Sequence, residues 1–207
     1  MAADKNLIRL FVKSDPAAFH KACRDMEDDA LSMTGATFKG LQVVGFDLSG
    51  FDLSNTEWEN CNFSATKLSE ANLQGAYLNG CALVDCDLEG ANLEGAALDG
   101  CVIRDTVWNG ADLSSTEMEN NQLQECTMEG VQLAEIAWTR VSIKGGAIRD
   151  ITDASGEASG LDLREVELSR VNLDEVEVSR SFHYGCTFEQ TELPEGFVQK
   201  SGRRRPV

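Results

Sequence analysis

A five-residue beat, clearest between Ala71 and Gly100, limits what this chain can fold into more than any other feature. Read in fives, that stretch is ANLQG, AYLNG, CALVD, CDLEG, ANLEG and AALDG. The same frame runs from Ala36 to Glu195 without an insertion, as thirty-two units. Leu fills the third position in sixteen of them, and only Asp153, Ala158 and His183 depart there from a large apolar side chain. Ala, Cys, Thr or Val fills the first position in twenty-two. Self-similarity at a fixed period is the mark of a solenoid, in which each unit buries its apolar face only against its neighbours.

Side-chain direction explains the pattern within one unit. First and third positions lie two residues apart, so in extended backbone they point to one side while the second points away. A small and a large residue therefore face inward, with Asp, Asn, Glu or Thr in water between them. The fourth and fifth positions are rich in Ser, Asn, Asp, Glu and Gly, which favour turns. Each unit thus reads as a very short strand followed by a corner. A chain that turns a corner every five residues must coil, and its coils pair at the β spacing of about 4.8 Å.

The units Ala71-Asn72-Leu73, Ala91-Asn92-Leu93, Ala111-Asp112-Leu113 and Cys86-Asp87-Leu88 resemble the pentapeptide-repeat family, whose pattern is A-(D/N)-L-x-x. The resemblance covers roughly three quarters of the chain. It implies an all-β fold, a right-handed quadrilateral β-helix with four pentads per coil. Thirty-two pentads then make about eight coils, a rod on the order of 38 Å long at β spacing. Cys61, Cys81 and Cys101 recur at twenty residues in the same pentad position, which agrees with a coil of four.

Three segments follow. Residues 1–35 precede the repeat and read as a cap on the open first coil, since solenoid ends expose core and unpaired strand edges, with a helix that docks a partner as the alternative. Asn6 to Val12 fits a strand or a short helix. Asp15-Pro16 reads as an N-cap with Pro at the first helical position, opening a helix around 16–31 with Phe19, Ala22, Cys23, Met26 and Ala30 on its apolar stripe. Residues 36–195 are the β-helix. Within it, 144–160 is irregular: Gly146, Asp153, Gly156 and Ala158 stand where packing side chains belong, as either a local defect or a recognition notch. Asp153 in frame is an inward carboxylate, which is costly. Residues 196–207 form a tail expected to be disordered, with Gly196-Phe197-Val198 able to fold over the last coil.

The net charge is −17, from 18 Lys and Arg against 35 Asp and Glu. Binding phosphates needs a basic face, so direct nucleic-acid binding is not expected. Six of the seven Cys (Cys61, Cys81, Cys86, Cys101, Cys126 and Cys186) take the inward small position, where core packing accounts for them. No C-x-x-C pair is present, and His20 and His183 lack ligand-spaced companions, so no metal site is expected. Leu7 to Val12 is too short and too interrupted by charge for a signal peptide, and no run reaches membrane-spanning length. A reducing cytoplasmic setting and no membrane contact are the expectation. No nucleophile elbow, zinc-protease motif or phosphate loop appears, so neither catalysis nor a cofactor is expected.

Given four pentads per coil, pentads four apart share a flank. One flank, carrying Asp52, Asn72, Asn92, Asp112, Gln132, Thr152, Asn172 and Glu192, has no Lys or Arg at an outward position. A single-sign flank focuses potential and steers a basic partner. The expected function is therefore a noncatalytic protein-binding scaffold, with Asp52, Glu94, Asp112, Glu135, Asp174 and Glu175 as its partner-binding residues. The resemblance implies two alternatives. One is a DNA mimic that modulates or protects DNA gyrase or topoisomerase, as in the quinolone-resistance branch of the family. The other is an interaction module attached to bacterial secretion machinery. It also implies a monomer or an end-to-end dimer.

Overall fold

Each pentad turns its corner in the left-handed region of backbone space. In the computed structural model, which describes residues 5–13, 15–24, 26, 31–191 and 193–199, every fifth residue from Gly35 to Gln190 has positive φ, except Ser155 and Glu175. That conformation is open to Gly and tolerated by Asn and Asp, which is why those residues recur at the fifth place. On some flanks a hydrogen bond closes the corner, as when Ala76 N–H donates to Leu73 O at 2.9 Å across Gly75 (φ 64°). This is the arrangement of a type II turn, which needs φ > 0 at its third residue.

Between corners, the chain stacks on itself twenty residues later. Asn92 N–H donates to Ala71 O at 2.9 Å and Leu93 N–H to Asp112 O at 2.8 Å, and this exchange repeats from coil to coil. The result is a parallel β-solenoid of about eight turns. Strands such as Tyr77–Asn79, Ala97–Asp99 and Glu117–Glu119 form an eight-stranded flank, and those such as Ala82–Val84 and Val102–Arg104 a seven-stranded one. A third flank has four strands, beginning at Thr127–Glu129. The fourth is held by isolated parallel bridges, Ser32 to Asp52 to Asn72 to Asn92 to Asp112 to Gln132.

The inward assignment holds through the regular coils. Leu93 is 1% exposed, and Trp58, Trp108 and Trp138 are buried. Inward hydroxyls are hydrogen-bonded: Thr56 Oγ1 donates to Leu53 O at 2.6 Å and accepts Trp58 Nε1–H at 2.8 Å. Thr116 does the same for Trp138. The Trp108 indole Nε1 lies beside the Cys126 sulfur and has no oxygen or nitrogen acceptor among the described residues. Among the repeat cysteines, Cys61, Cys81, Cys86, Cys101 and Cys126 are buried, while Cys186 in the last coil is only partly covered. Cys61, Cys81 and Cys101 stack in one file, each thiol donating to a carbonyl of the preceding coil, and Asn121 continues the file. Asn121 Nδ2 donates to Leu98 O and its Oδ1 accepts Cys101 N–H, both at 2.8 Å.

The irregular coil departs from the strict frame. Asp153 is exposed and Ala154 is buried in its place, so the carboxylate expected inside stays in water. The slip is made where Ser155 joins strand Ser155–Ser159 and pairs with Glu175 of Glu175–Ser179, both continuing the eight-stranded flank through a former corner. Gly146 and Gly156 are required because their backbone lies on the coil below: a Cβ at Gly146 would sit 2.0 Å from Cys126 O, and one at Gly156 2.2 Å from Ile136 O. Ala158 lies between Trp138 and Val178 where a large side chain would stand. An apolar cavity of about 40 Å³ remains there, lined by Trp138, Ile148, Ala158, Leu163 and Phe197.

Two helices close the first coil. The stretch left open between strand and helix is helix α1, Lys5–Lys13, with Leu7 and Phe11 buried. Helix α2, Pro16–Cys23, starts at the expected cap, Asp15 accepting Ala18 N–H at 2.9 Å, but ends at Arg24 rather than near residue 31. Of the expected apolar stripe, Phe19 is buried, Cys23 and Met26 pack partly, Ala22 is exposed, and Ala30 lies outside the described residues. The Phe11 ring sits edge-on to Phe19, Phe38, Phe46 and Trp58 at centroid distances of 4.9–6.2 Å. His20 Nε2 accepts Asp47 N–H at 2.6 Å, tying α2 to the coil. At the other end, Phe197–Gln199 pairs with Ser181–Tyr184, as expected of Gly196-Phe197-Val198. The basic tail from 200 onward lies outside the described residues.

Two tests follow from the corners and the core. Gly95→Ala meets open space at φ +64°, so only the left-handed penalty of about 1–2 kcal/mol applies. Gly146→Ala meets backbone as well and should lower the denaturant midpoint well beyond Gly95→Ala; equal losses would show that the close approach of the coils is absent. Burial pushes the Cys86 thiol up to about 11 from an ordinary value of 9.0. The neutral form is favoured by folding, so this stabilisation is complete below pH 9 and is lost as pH rises through about 11. At pH 8 Cys86 should react with a thiol reagent orders of magnitude more slowly in the native protein than after denaturation; comparable native and unfolded rates would put it at the surface.

Candidate functional site

On the bridged flank the second pentad position is built by the backbone rather than for a partner. A side chain there accepts the N–H two residues on: Asp52 Oδ1 from Ser54 at 3.1 Å, Asn72 from Gln74 at 3.1 Å, Asn92 from Glu94 at 2.9 Å and Asp112 from Ser114 at 2.9 Å. This short-range acceptance is the physical content of the Asp/Asn preference. Asp52 also accepts Thr34 Oγ1–H at 2.6 Å, Ser32 Oγ–H at 3.2 Å and Asn72 Nδ2–H at 3.2 Å. Burial acts to raise its carboxyl, but the hydrogen bonds from Thr34, Ser54 and Ser32 outweigh it and hold Asp52 below the usual carboxylate value.

The six residues expected to meet a partner therefore divide. Asp52 and Asp112 are half-buried and capped. Glu94, Glu135 and Asp174 are exposed. Glu94 accepts Gln74 Nε2–H at 2.8 Å and Glu135 accepts Ser115 Oγ–H at 3.2 Å, both from neutral groups one coil below. Glu175 is exposed but opens a strand of the eight-stranded flank, so it lies around the corner from the bridged row. Asp52, Glu94, Asp112 and Glu135 are brought onto one continuous flank by the bridges; Asp174 lies beyond the slipped coil.

Charge on the other flanks is compensated in part. Lys39 meets Glu59 at 2.5 Å, Arg149 meets Glu167 at 2.9 Å, Arg170 meets Asp150 at 2.5 Å, and Arg140 meets Glu119. Exposed pairs of this kind contribute little to stability, roughly 0–1 kcal/mol, but they cancel the local field. The bridged flank has no cation to do so. Sequence reasoning overlooked a second charged surface, the outer side of α1 with Lys5, Arg9 and Lys13 exposed. Their four-residue spacing was its signal.

The family model for pentapeptide repeats matches eight copies, over residues 47–83 and 66–105. No curated protein sequence matches the chain. Among solved structures, the chain is similar to full-length QnrB1, a plasmid-mediated fluoroquinolone resistance protein, at 15% identity and a TM-score of 0.50, covering 80% of this chain and 94% of that one. It is also similar to HetL, a pentapeptide-repeat protein involved in heterocyst differentiation regulation from the cyanobacterium Nostoc sp. strain PCC 7120, at 20% identity and a TM-score of 0.42, covering 95% of each chain. At these identities the QnrB1 likeness speaks for the fold alone. No helix among the described residues is long and apolar enough to cross a membrane.

The division of the acids can be measured. Asp112→Ala removes an acceptor for a backbone N–H and should cost about 1 kcal/mol in denaturant unfolding. Glu94→Ala, which loses only a surface contact, should stay within about 0.5 kcal/mol of the parent. For Asp52 the folded pKa is depressed, so its contribution is present above the ordinary carboxylate value and lost as pH falls through the lowered one. Loss of the same stability from Asp112→Ala and Glu94→Ala would reject the separation of capping from solvated acids.

Proposed function

We propose that this pentapeptide-repeat protein is a noncatalytic binding scaffold whose bridged acidic flank engages a basic protein surface. One observation carries the reading: the flank is a continuous row over successive coils with acids and no cation, while each of the other flanks carries Lys or Arg that meet some of its acids. Such a surface governs encounter rate and its salt dependence more than it governs fold stability. Glu94 and Glu135 are the contact residues, Asp174 extends them, and Asp52 and Asp112 add field from fixed, capped positions. A rod with its side chains closed into a thin core offers stacked rows rather than a concave site.

DNA gyrase is the candidate partner to assay first, because a negatively charged rod competes with DNA for a basic saddle. The test uses two variants of equal charge change: Glu94, Glu135 and Asp174 to Lys on the bridged flank, and Asp85, Asp105 and Glu125 to Lys on the flank opposite. Partners retained from bacterial lysate by the parent protein are identified and re-tested with each variant, and gyrase supercoiling is measured with purified components. The flank triple should abolish association and leave the melting temperature nearly unchanged, while the opposite triple should weaken it much less. Equal loss from both would show that only net charge counts and would end this reading. A supercoiling effect lost with the flank triple would identify the partner as gyrase.

A further inference from the structure

Helix α1 bears charge opposite to that of the rod it closes. Helix α1 has Lys5, Arg9 and Lys13 at four-residue intervals, all exposed, and no acidic residue. Four-residue spacing places them along one side of the helix, spanning about 12 Å at 1.5 Å per residue. Val12 stands beside them at 48% exposed. Among the described residues none of the three has an ion-pair partner, whereas Lys39, Lys67, Arg140, Arg149, Arg164 and Arg170 on the coils each have one. Lys21 and Arg24 add two exposed cations at α2, whose Asp15 is occupied in capping that helix; Asp25, Glu27, Asp28 and Asp29, which follow in the sequence, lie outside the described residues.

This ridge is held in place. Leu7 and Phe11, on the other side of α1, are buried in the first coil, with Phe11 against Phe38, Phe46 and Trp58. A helix anchored over the end of the rod cannot swing down onto its own flank. The most negative uncompensated surface on the molecule is the bridged flank, where Glu94 and Glu135 lie two coils apart, roughly 10 Å. That spacing falls within the 12 Å of the ridge.

We propose that the cationic ridge of α1 docks on the bridged acidic flank of a second copy of this chain. The proposal rests on the reading of that flank as a surface for basic groups, and it names one such group. The contact is heterologous, because cap meets flank, and a heterologous contact that does not close generates open chains of subunits. Each copy then presents its remaining cap or flank to the next. Assembly would occupy about half of the flank and so compete with a basic partner whose footprint reaches into that half.

Sedimentation of the full-length protein over a concentration series, at low and at high salt, tests this. The cap triple is Lys5→Glu, Arg9→Glu and Lys13→Glu. The flank triple is Glu94→Lys, Glu135→Lys and Asp174→Lys. The charge-matched control is Arg104→Glu, Lys144→Glu and Arg180→Glu, three coil cations without ion-pair partners among the described residues. The parent and the control should associate at low salt and dissociate at high salt, and the cap and flank triples should each stay monomeric. Mixing the two triples should give a one-to-one complex and nothing larger, since one intact cap and one intact flank remain. If the cap triple lowers the melting temperature, the same series is run with Lys5→Gln, Arg9→Gln and Lys13→Gln. A parent monomeric at every concentration, a control that loses association as fully as the cap triple, or a silent mixture would each overturn the proposal. So would binding of the parent, through α1, to phosphatidylserine vesicles or duplex DNA in place of self-association. A monomeric parent whose flank triple still loses its captured partner would remove the cap contact alone; a flank triple that retains that partner would remove the flank reading itself.

Discussion

The left-handed corner is the constraint on which the rest depends. Placing positive φ at every fifth residue makes the chain close a coil in twenty, and closure in twenty puts like positions directly above one another. The backbone ladder then fixes the register, because a slip of one residue would turn the inward side chains to water. Stacking like on like has an electrostatic cost, since like charges opposite one another in a sheet are destabilising. Two remedies are used. Three flanks interleave cations, as in Lys39 below Glu59 and Arg170 above Asp150. The bridged flank dilutes its acids with amides, so that Asp52 and Asp112 are separated by Asn72 and Asn92. The second remedy spaces the charge without neutralising it, which is why that flank keeps a net field.

What the sequence made legible was what the period determines. Frame and inward positions follow from the five-residue period, flank membership from the four pentads per coil that the family resemblance implies, and the coils from Ala36 to Ile143 obey both. The role of Asp52 and Asp112 was less visible, because an outward polar residue looks the same whether it faces a partner or turns back to its own backbone. The N-terminal stretch resisted for another reason. Leu7 and Phe11 are four apart, and four is both an even number, as a strand requires, and close to the 3.6 of a helix. Tertiary packing of Phe11 into the aromatic group of the first coil accompanies the helical choice.

Asp153 illustrates a local conflict resolved against the frame. Keeping register would have buried an ionised carboxylate, which costs several kcal/mol unless paired. Yielding register instead buries Ala154, converts the corner at Ser155 into strand, and leaves a small cavity beside Ala158. A cavity of about 40 Å³ costs on the order of 1 kcal/mol by the usual proportionality. The smaller penalty wins, and Gly146 and Gly156 make the accommodation sterically possible.

That accommodation also sets the length of the acidic surface. The parallel bridges run from Ser32 to Gln132, five coil steps or roughly 24 Å, and end where the chain begins to slip. Beyond it, Glu175 has joined the neighbouring flank and Asp174 stands apart from the row. The continuous field is thus bounded at one end by the coil that the cationic helix α1 closes and at the other by the irregular coil. A ridge of about 12 Å covers half of it. A docked second copy would leave the remaining half open, so self-association and capture of a larger basic partner compete only where the partner's footprint exceeds that remainder. The irregular coil, which touches no partner in this reading, nonetheless decides how much surface a partner can use.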